Sequence, residues 1–125
     1  MPGPQEIAAI RPLCTKVLEP VRAYFGRPVR ISSGYRSPAL SLAVGSSEKS
    51  QHCKGEAVDF EIEGISNFIV ASWIRDNIAF DQLILENYVR GQMNSGWVHV
   101  SYREGRLRRE ALTYTRRAYF PGLLA

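Results

Sequence analysis

The two histidines of this 125-residue chain both stand in contexts that suit a metal ligand. His52 opens the pattern HxxGxAxD, which ends at Asp59, and His99 lies in a separate WVHVS segment. Gly55 permits a sharp bend that can bring His52 beside Asp59. Imidazole nitrogen and carboxylate oxygen both bind zinc at about 2.0–2.2 Å, so His52, Asp59 and His99 form a candidate set of ligands for one ion. Three protein ligands leave the fourth position of a tetrahedral ion open, which is typical of a catalytic rather than a structural zinc site.

Glu86 is a candidate general base for the same site. Turn residues separate two predicted strands, Asp81–Tyr88 and Trp97–Tyr102, which should pair antiparallel because their connection is short. If the loop between them is symmetric, Glu86 falls opposite His99, with Cβ atoms about 5 Å apart. A carboxylate there could take a proton from the attacking water. The alternative is that Glu86 is a solvated strand residue, because a register slip of one position would turn it to the other face.

Hydrophobic spacing and turn residues predict the elements that position these groups. A helical segment runs from about Pro4 to Phe25, is kinked or broken because Pro12 and Pro20 each remove a backbone donor, and ends at Gly26. The other predicted elements are a strand at Val29–Ser32, a short helix from Pro38 through Val44, a polar loop at Gly45–Lys49, a strand at Ala57–Ile62, a helix with Ser66 as N-cap and a last strand at Ala111–Thr115. Helices and antiparallel strands in segregated order predict an α+β fold, and the length fits one domain that spans residues 1–125.

The composition is that of an ordinary soluble protein. Hydrophobic residues make up 45% of the chain and charged residues 22%, which is enough apolar material for one core. No apolar run approaches the roughly 18 residues of a membrane-spanning helix, and the first residues lack the basic and apolar parts of a signal peptide. We therefore expect a monomer that is made in the cytoplasm and does not insert into a membrane.

Arginines contribute much of the net charge of +4, and several lie late in the chain. The late arginines are Arg103, Arg106, Arg108, Arg109, Arg116 and Arg117. A basic segment can bind nucleic acid or another polyanion, or it can be a solvated face that aids solubility. Neither a recognition-helix pattern nor an aromatic-interleaved pattern accompanies these arginines, so we favour the solvated face and expect no nucleic-acid partner.

The two cysteines, Cys14 and Cys53, do not form a CxxC motif. In a reducing compartment a disulfide between them is not expected. Cys14 lies on the apolar stripe of the N-terminal helix and is predicted to pack in the core. Cys53 is an alternative metal ligand, but adjacent side chains of an extended chain point apart, which favours His52 over Cys53.

Four segments stand out in order along the chain: SGYRS at 33–37, SQHCKGEAVD at 50–59, FDQLI at 80–84 and WVHVS at 97–101. Together they resemble the zinc D-Ala-D-Ala carboxypeptidase family. That family includes VanY-like carboxypeptidases, vancomycin-resistance D,D-dipeptidases and phage L-alanyl-D-glutamate endopeptidases, and it shares its fold with the hedgehog signalling domain. The resemblance runs from about Arg30 to Ser101. It implies a hedgehog/DD-peptidase-like fold, with helices packed against a small antiparallel sheet.

The resemblance assigns roles to individual residues. It implies that one zinc ion is bound by the three ligands named above, and that Arg36 acts in catalysis by holding a substrate carboxylate or a polarised carbonyl, which suits a planar bidentate donor. Ser50 would line the substrate site, and Gln82 would support it. Many members carry the catalytic acid three residues before the last histidine, where this chain has Gly96. Glu86 could replace that acid, since the shorter phage-type members combine FDQLIxE with WVHVS.

The function that the resemblance implies is a zinc-dependent peptidase that hydrolyses D-amino-acid-containing stem peptides of peptidoglycan. It could act as a D,D-carboxypeptidase or as an L,D-endopeptidase. A phage or prophage lysis enzyme fits a chain without a signal peptide, which reaches the wall only when a holin or lysis releases it. Two other hypotheses stay open. One is a non-catalytic zinc-binding module or phage structural protein on the same fold, and the other is a basic nucleic-acid-binding protein, whose binding would fall steeply with salt.

Overall fold

The computed structural model describes residues 2–37, 39–40 and 50–124. In chain order its elements are helix α1 (Pro4–Leu13), a π-helical turn (Cys14–Leu18), helix α2 (Glu19–Phe25), strands β1 (Val29–Ser33) and β2 (Ala57–Ile62), helix α3 (Asn67–Asn77), and strands β3 (Gln82–Glu86), β4 (Trp97–Ser101), β5 (Glu110–Thr115) and β6 (Ala118–Pro121). Of the short helix predicted from Pro38 through Val44, residues 39 and 40 are described and are helical; the rest of it and the polar loop at Gly45–Lys49 lie outside the described residues. In the part of the chain that is described, no helix is both long and apolar enough to span a membrane.

Three predicted features of the helices are confirmed. The N-terminal segment is interrupted by the π-helical turn, which lies between α1, where Pro12 removes a backbone donor, and α2, where Pro20 lies in the first turn. Gly26 ends α2 in the left-handed conformation, with a φ of +65°. Ser66 caps α3 because its Oγ atom accepts a hydrogen bond from the backbone N–H of Phe68 at 3.2 Å.

The strands form a six-stranded sheet in the order β1-β2-β4-β3-β5-β6. Neighbouring strands are antiparallel except for β3 and β5, which are parallel. The predicted α+β class is confirmed, but the expectation of an antiparallel sheet is wrong at this pair. Strand β4 ends at Ser101, whose hydroxyl accepts a hydrogen bond from the N–H of Gln82 at the start of β3. The chain crosses this end of β3 at residues 102–109, so β5 begins there and runs in the direction of β3.

Side chains alternate along the central strands between a core face and an opposite face, called the open face below, which is partly exposed at Asp59, His99 and Glu86 and buried at Ala57, Ile84 and Ser101. Along β2, Val58, Phe60 and Ile62 are at most 2% exposed, as the alternation predicts. The rest of this core comprises mainly Leu83 and Leu85 of β3, Val98 and Val100 of β4, Val70, Ala71 and Ile74 of α3, and Leu13, Val17 and Val21 of the N-terminal segment. Full burial of one such side chain contributes about 1.5–3 kcal/mol. The packing of this face therefore fixes the residues that the opposite face presents.

Candidate metal centre

The open face of the sheet carries two of the predicted ligands side by side. Asp59 of β2 pairs directly with His99 of β4, and the Oδ1 atom of Asp59 lies 2.8 Å from Nδ1 of His99. His52 comes from the turn just before β2, and its Nε2 atom lies 3.4 Å from the same Oδ1 atom. One ligand atom from each residue lies within 4.8 Å of the others. The structure thus brings the three predicted ligands together.

The turn at residues 50–55 carries His52 back toward β2. The Ser50 hydroxyl accepts a hydrogen bond from the His52 backbone N–H at 3.2 Å, and the His52 carbonyl accepts one from the Gly55 N–H at 3.3 Å. Gly55 has a φ of +73°, which side chains disfavour, and a Cβ atom there would meet the backbone carbonyl of Glu6 in α1. The predicted bend at Gly55 is therefore present, and the absence of a side chain lets α1 pack against it.

The donor set and its spacing fit a zinc ion. The Nδ1 atom of His52 lies 2.9 Å from the Gly34 carbonyl, which can only accept, so Nδ1 carries the proton and Nε2 presents its lone pair to the site. Ligands about 2.1 Å from a tetrahedral ion lie about 3.4 Å from one another, which is within the range seen here. The His52 side chain is buried, whereas those of Asp59 and His99 are 15% and 12% exposed, so solvent reaches the group from one side. Cys53 is not a member of this group.

Asp59 keeps the charge that a metal ligand needs. Burial raises the pKa of its carboxyl group, but without a metal the protonated imidazoles of His52 and His99 donate hydrogen bonds to it, and these bonds together with their charges outweigh burial and lower that pKa to about 2. The carboxylate is therefore ionised at neutral pH. A metal ion that binds to it does not have to displace a proton from this ligand.

Glu86 lies on the same open face as the ligands, but it is not opposite His99. Trp97 is the partner of Glu86 on β4, and Ile84 faces His99, so the register predicted from a symmetric loop is wrong by two positions. Glu86 nevertheless lies on the predicted face, because side chains alternate with a period of two and a shift of two positions leaves each one on the same face. Strand β3 ends early because Asn87 adopts a φ of +55° and its N–H donates to a carbonyl of β5 at 2.7 Å.

The Glu86 carboxylate lies in the electrostatic field of the metal-binding group. Its Oε2 atom accepts a hydrogen bond of 2.8 Å from the indole N–H of Trp97. Burial raises the pKa of Glu86, and the net shift is upward although the charge of His99 and the Trp97 hydrogen bond oppose it. The charge of Asp59 adds to the upward shift. A carboxylate with a raised pKa beside a metal-binding group can accept a proton and later release it.

The competing carboxylates are placed less favourably than Glu86. Glu61 shares the open face of β2, but its side chain is bonded to Arg30 at 3.2 Å and to Asn67 at 3.3 Å. Glu104 follows the end of β4 and is exposed. Of the three carboxylates compared, only Glu86 combines burial with electrostatic coupling to the ligands.

The backbone around Gly96 leaves no room for an acidic side chain at that position. Gly96 has a φ of +68°, and a Cβ atom there would meet the carbonyl oxygen of Glu86 and the backbone of Asn87 and Tyr88. No side chain fits at this position unless the end of β3 moves. An acid three residues before the last histidine, as in many zinc D-Ala-D-Ala carboxypeptidases, therefore has no place on this backbone.

Of the other predicted site residues, Arg36 and Ser50 lie at the His52 turn, whereas Gln82 is bonded to β5. The Arg36 backbone N–H donates to the His52 carbonyl at 3.1 Å, and the Arg36 Nε atom is buried without a hydrogen-bond partner in the described part of the chain. The Ser50 hydroxyl is bonded to the backbone of the same turn. Gln82 begins β3, and its side-chain amide donates to Glu110 of β5 at 2.8 Å. The structure thus brings Arg36 and Ser50 to the His52 turn and directs the amide of Gln82 to β5, and their roles toward a substrate stay predictions.

Aromatic residues that the sequence predictions missed extend the row of Glu86 across the sheet. Trp97 lies beside Glu86 on β4, and Tyr114 lies beside it on β5. Tyr119 of β6 pairs with Tyr114, with ring centroids 4.8 Å apart, and burial together with the charge of Glu86 raises the pKa of Tyr119. The alternation in WVH carries a signal for Trp97, because it puts Trp97 and the histidine on one face. The sequence carries no comparable signal for Tyr114, whose position depends on the parallel pairing of β5 with β3.

Comparison with models of protein families agrees with this geometry, whereas comparison with individual curated proteins does not contribute. A search of the curated proteins found no significant match. A model of the Peptidase M15 family matches residues 4–101, which is most of the chain and includes all three ligands and Glu86. The match ends with β4, so β5 and β6 lie beyond it. Peptidases of this family depend on zinc, in agreement with the donor set. The chain therefore belongs to the Peptidase M15 family of metallopeptidases.

Proposed function

We propose that this protein is a zinc-dependent peptidase with a hedgehog/DD-peptidase-like fold, and that it hydrolyses D-amino-acid-containing stem peptides of bacterial peptidoglycan. The observation that carries the proposal is the Glu86 carboxylate, which has a raised pKa and shares the open face with Asp59 and His99. A zinc-binding group without such a carboxylate would support binding alone. The resemblance to wall peptidases supports the stem peptide as the substrate class.

Different residues of the site would bind the metal and transfer the proton during peptide hydrolysis. His52, Asp59 and His99 would hold the zinc ion, which would supply Lewis acidity that activates water and polarises the scissile carbonyl. Glu86 takes the proton of the attacking water and passes it to the leaving amine. The indole N–H of Trp97 holds the Oε2 atom of Glu86, so we assign proton transfer to Oε1.

Arg36 binds negative charge of the substrate in this proposal. Its buried Nε atom, which has no hydrogen-bond partner among the residues that the structure describes, supports the assignment, because a buried donor of this kind normally has an acceptor. The planar guanidinium suits a substrate carboxylate or the oxyanion that develops at the scissile carbonyl. The bond from the Arg36 N–H to the His52 carbonyl ties the position of this charge to a metal ligand. Ser50 lines the substrate site on the same turn, and Gln82 supports the start of β3.

The finer identity that we propose is a lysis enzyme of a phage or prophage. The segments FDQLILE at 80–86 and WVHVS at 97–101 resemble those of the shorter phage-type endopeptidases. Such an enzyme is made in the cytoplasm and reaches the wall after a holin or lysis releases it. A carboxypeptidase frees a terminal D-amino acid and an endopeptidase cuts within the stem, so the masses of the products distinguish the two types.

Digestion of purified peptidoglycan and its stem peptides, followed by mass spectrometry, tests the proposal. We expect the parent protein to carry one equivalent of zinc and to release new peptide fragments. Hydrolysis should stop when a chelator removes the metal and resume when zinc is restored. His52→Ala and His99→Ala are the matched controls and should lose both zinc and activity. Undiminished zinc in both variants would contradict the ligand assignment, and a parent that binds zinc without hydrolysing any wall peptide would favour the non-catalytic module.

A further inference from the structure

Asp81, which directly precedes β3, is a fully buried carboxylate at the junction of three segments. Its Oδ2 atom accepts a hydrogen bond of 2.9 Å from the side-chain amide of Gln51, the residue before the first metal ligand. Arg108 donates to Oδ1 at 2.6 Å through Nε and to Oδ2 at 3.2 Å through Nη2. Arg106 donates to Oδ2 at 3.2 Å. One carboxylate thereby joins the metal-binding turn to the segment at residues 102–109.

Glu56 forms a second junction between the same turn and the same segment. Its Oε1 atom accepts a hydrogen bond of 3.3 Å from the amide of Gln51, and its Oε2 atom lies 3.9 Å from Nε of Arg103. The backbone carbonyl of Glu56 accepts a bond from the N–H of Tyr102 at 2.8 Å. The carbonyl of Gln51 in turn accepts the N–H of Glu56 at 2.9 Å. Gln51 is therefore held through both its backbone and its side chain.

Because Asp81 is buried and ionised, the loss of its hydrogen-bond partners in the turn and in residues 102–109 would destabilise the folded protein. Burial raises the pKa of its carboxyl group, but hydrogen bonds from Arg108 and Gln51 outweigh burial and lower that pKa to about 2. An ionised group that is out of contact with water must keep its partners, because an unpaired buried charge is strongly destabilising. The late arginines Arg103, Arg106 and Arg108 thus have carboxylate partners within the protein.

We propose that Gln51 and Asp81 are positioning residues for His52, and that residues 102–109 act through them as a latch on the metal-binding turn. The latch lies beyond the residues that match the M15 family, so it is a contribution of the C-terminal part of this chain. Groups bonded directly to a metal ligand fix its orientation, and their replacement typically lowers metal affinity about 10–100-fold. Gln51 and Asp81 are not bonded to the His52 ring but act on it through the backbone of the turn, and we take the same range for their effect. The inference rests on the zinc site of the proposed function but not on peptide hydrolysis.

The zinc affinity of the whole protein, measured in competition with a chelating dye, tests the latch directly. Gln51→Met keeps the length of the side chain but removes both of its hydrogen bonds, and we expect zinc affinity to fall about 10–100-fold. Lys54→Met lies in the same turn with an exposed side chain and is the matched control, which should keep the parent affinity. Arg108→Met, at the far end of the latch, should weaken zinc binding in the same direction.

Hydrogen exchange of the metal-free protein separates positioning from a general loss of stability. We expect Gln51→Met to speed amide exchange at residues 50–56 and to leave the exchange of β2 and β4 unchanged. Parent zinc affinity in folded Gln51→Met overturns the latch, as does an equal acceleration of exchange throughout the sheet. If Arg108→Met does not fold, Gln51→Met decides alone. A parent that binds zinc but cuts no wall peptide refutes the proposed function and leaves the latch standing, whereas a parent that binds no zinc overturns both.

Discussion

The sheet has two parts of unlike construction. The metal half (β2, β4 and β3) packs one face into an apolar core, where Phe60, Leu85 and Val98 are completely buried, and carries Asp59, His99 and Glu86 on the other. The edge half (residues 102–124) has mostly half-buried or exposed side chains, and it is attached by main-chain pairing to β3 and by arginines on Asp81. Apolar burial stabilises the metal half, so its open-face residues can be replaced without unfolding it. The edge half depends on polar contacts, and changes there should alter the geometry of the site.

Glu86→Gln gives the largest expected effect. It tests whether a substitution on the open face of the metal half abolishes peptide hydrolysis without unfolding the protein. The amide keeps the size of the side chain but cannot accept a proton at neutral pH, so turnover of wall peptide should fall about 10²–10⁴-fold. The variant should fold and retain zinc, as measured by elemental analysis. Glu61→Gln on the same face is the control and should stay near the parent rate. Near-normal turnover in Glu86→Gln, with collapse in Glu61→Gln or Glu104→Gln, would assign the base to another carboxylate.

Gly96→Ala tests the backbone packing of the metal half. The new Cβ atom would meet the backbone at the end of β3, and the left-handed conformation adds strain, so the free energy of unfolding in urea should fall by at least about 2 kcal/mol. Gly91→Ala is a matched control in the same loop, because Gly91 has a φ of +83° and a Cβ atom added there would have no described residue within 4 Å. It should show the cost of the backbone conformation alone. Equal losses in the two variants would mean that close packing at Gly96 contributes nothing.

Asp81→Asn tests the attachment of the edge half. The folded pKa of about 2 lies below the value of about 3.9 in an unfolded chain, so the stabilisation is complete above about pH 4 and is lost as the pH falls through about 2. The variant should therefore lose about 2 kcal/mol of unfolding free energy at neutral pH, and its difference from the parent should shrink in acid. Asp76→Asn removes an exposed pair with Arg75 and should change little. A parent–variant difference that does not depend on pH would show that the shape of Asp81, rather than its charge, matters.

Arg36→Lys tests whether the guanidinium of Arg36, next to the His52 turn, binds substrate. Lysine keeps the positive charge but loses the planar fork, so hydrolysis should fall by about tenfold or more while zinc content stays at the parent level. Rate measurements on wall peptide and elemental analysis of the same preparation give both quantities. Hydrolysis at the parent rate would reduce Arg36 to a residue of the turn.

Trp97→Phe has the smallest expected effect, and it refines the description of the base. The indole hydrogen bond lowers the pKa of Glu86, so its removal should raise that pKa further. A general base works when it is deprotonated, and activity is lost as the pH falls through its pKa. The acidic limb of the kcat/KM profile should therefore move to higher pH, by less than about one unit. Tyr114→Phe, beside Glu86 on β5, is the control that leaves the indole in place. An acidic limb that does not move in Trp97→Phe would show that Trp97 does not influence the pKa of the base.

The metal half could be predicted from the sequence because its signals are local. Alternation along β2 places Asp59 opposite the core, and Gly55 explains how His52 returns to it. The β3–β4 register could not be predicted, because Asn87, with a φ of +55°, ends β3 two residues earlier than the predicted strand, and nothing in the apolar pattern indicates this. The face of Glu86 was nevertheless correct, since it depends only on the alternation within β3.

Of the edge half, the sequence predicts one strand, at Ala111–Thr115, which is present as β5, although β6 follows it. The attachment of this half and its final hairpin could not be predicted, because their determinants are distant or atypical. Asp81 is 30 residues from Gln51 and 27 from Arg108, so nothing in the local pattern indicates that the three meet. The hairpin of β5 and β6 turns at Arg116 and Arg117, whose φ values are +53° and +60°. Two-residue turns of this kind normally take Asn-Gly, and a pair of arginines gives no such signal.

The close packing around Gly96 constrains how sites of this kind can change during evolution. Backbone atoms at the end of β3 fill the volume that an acidic side chain at position 96 would need, and that strand carries Glu86. The two locations for the base therefore exclude each other on this backbone, and no single substitution can move the acid from one to the other. An acid at position 96 would also require residues 87–96 to take another path, so the path of this loop and the position at which an acid can stand are coupled. A search that requires the acid before the last histidine would pass over chains of this type.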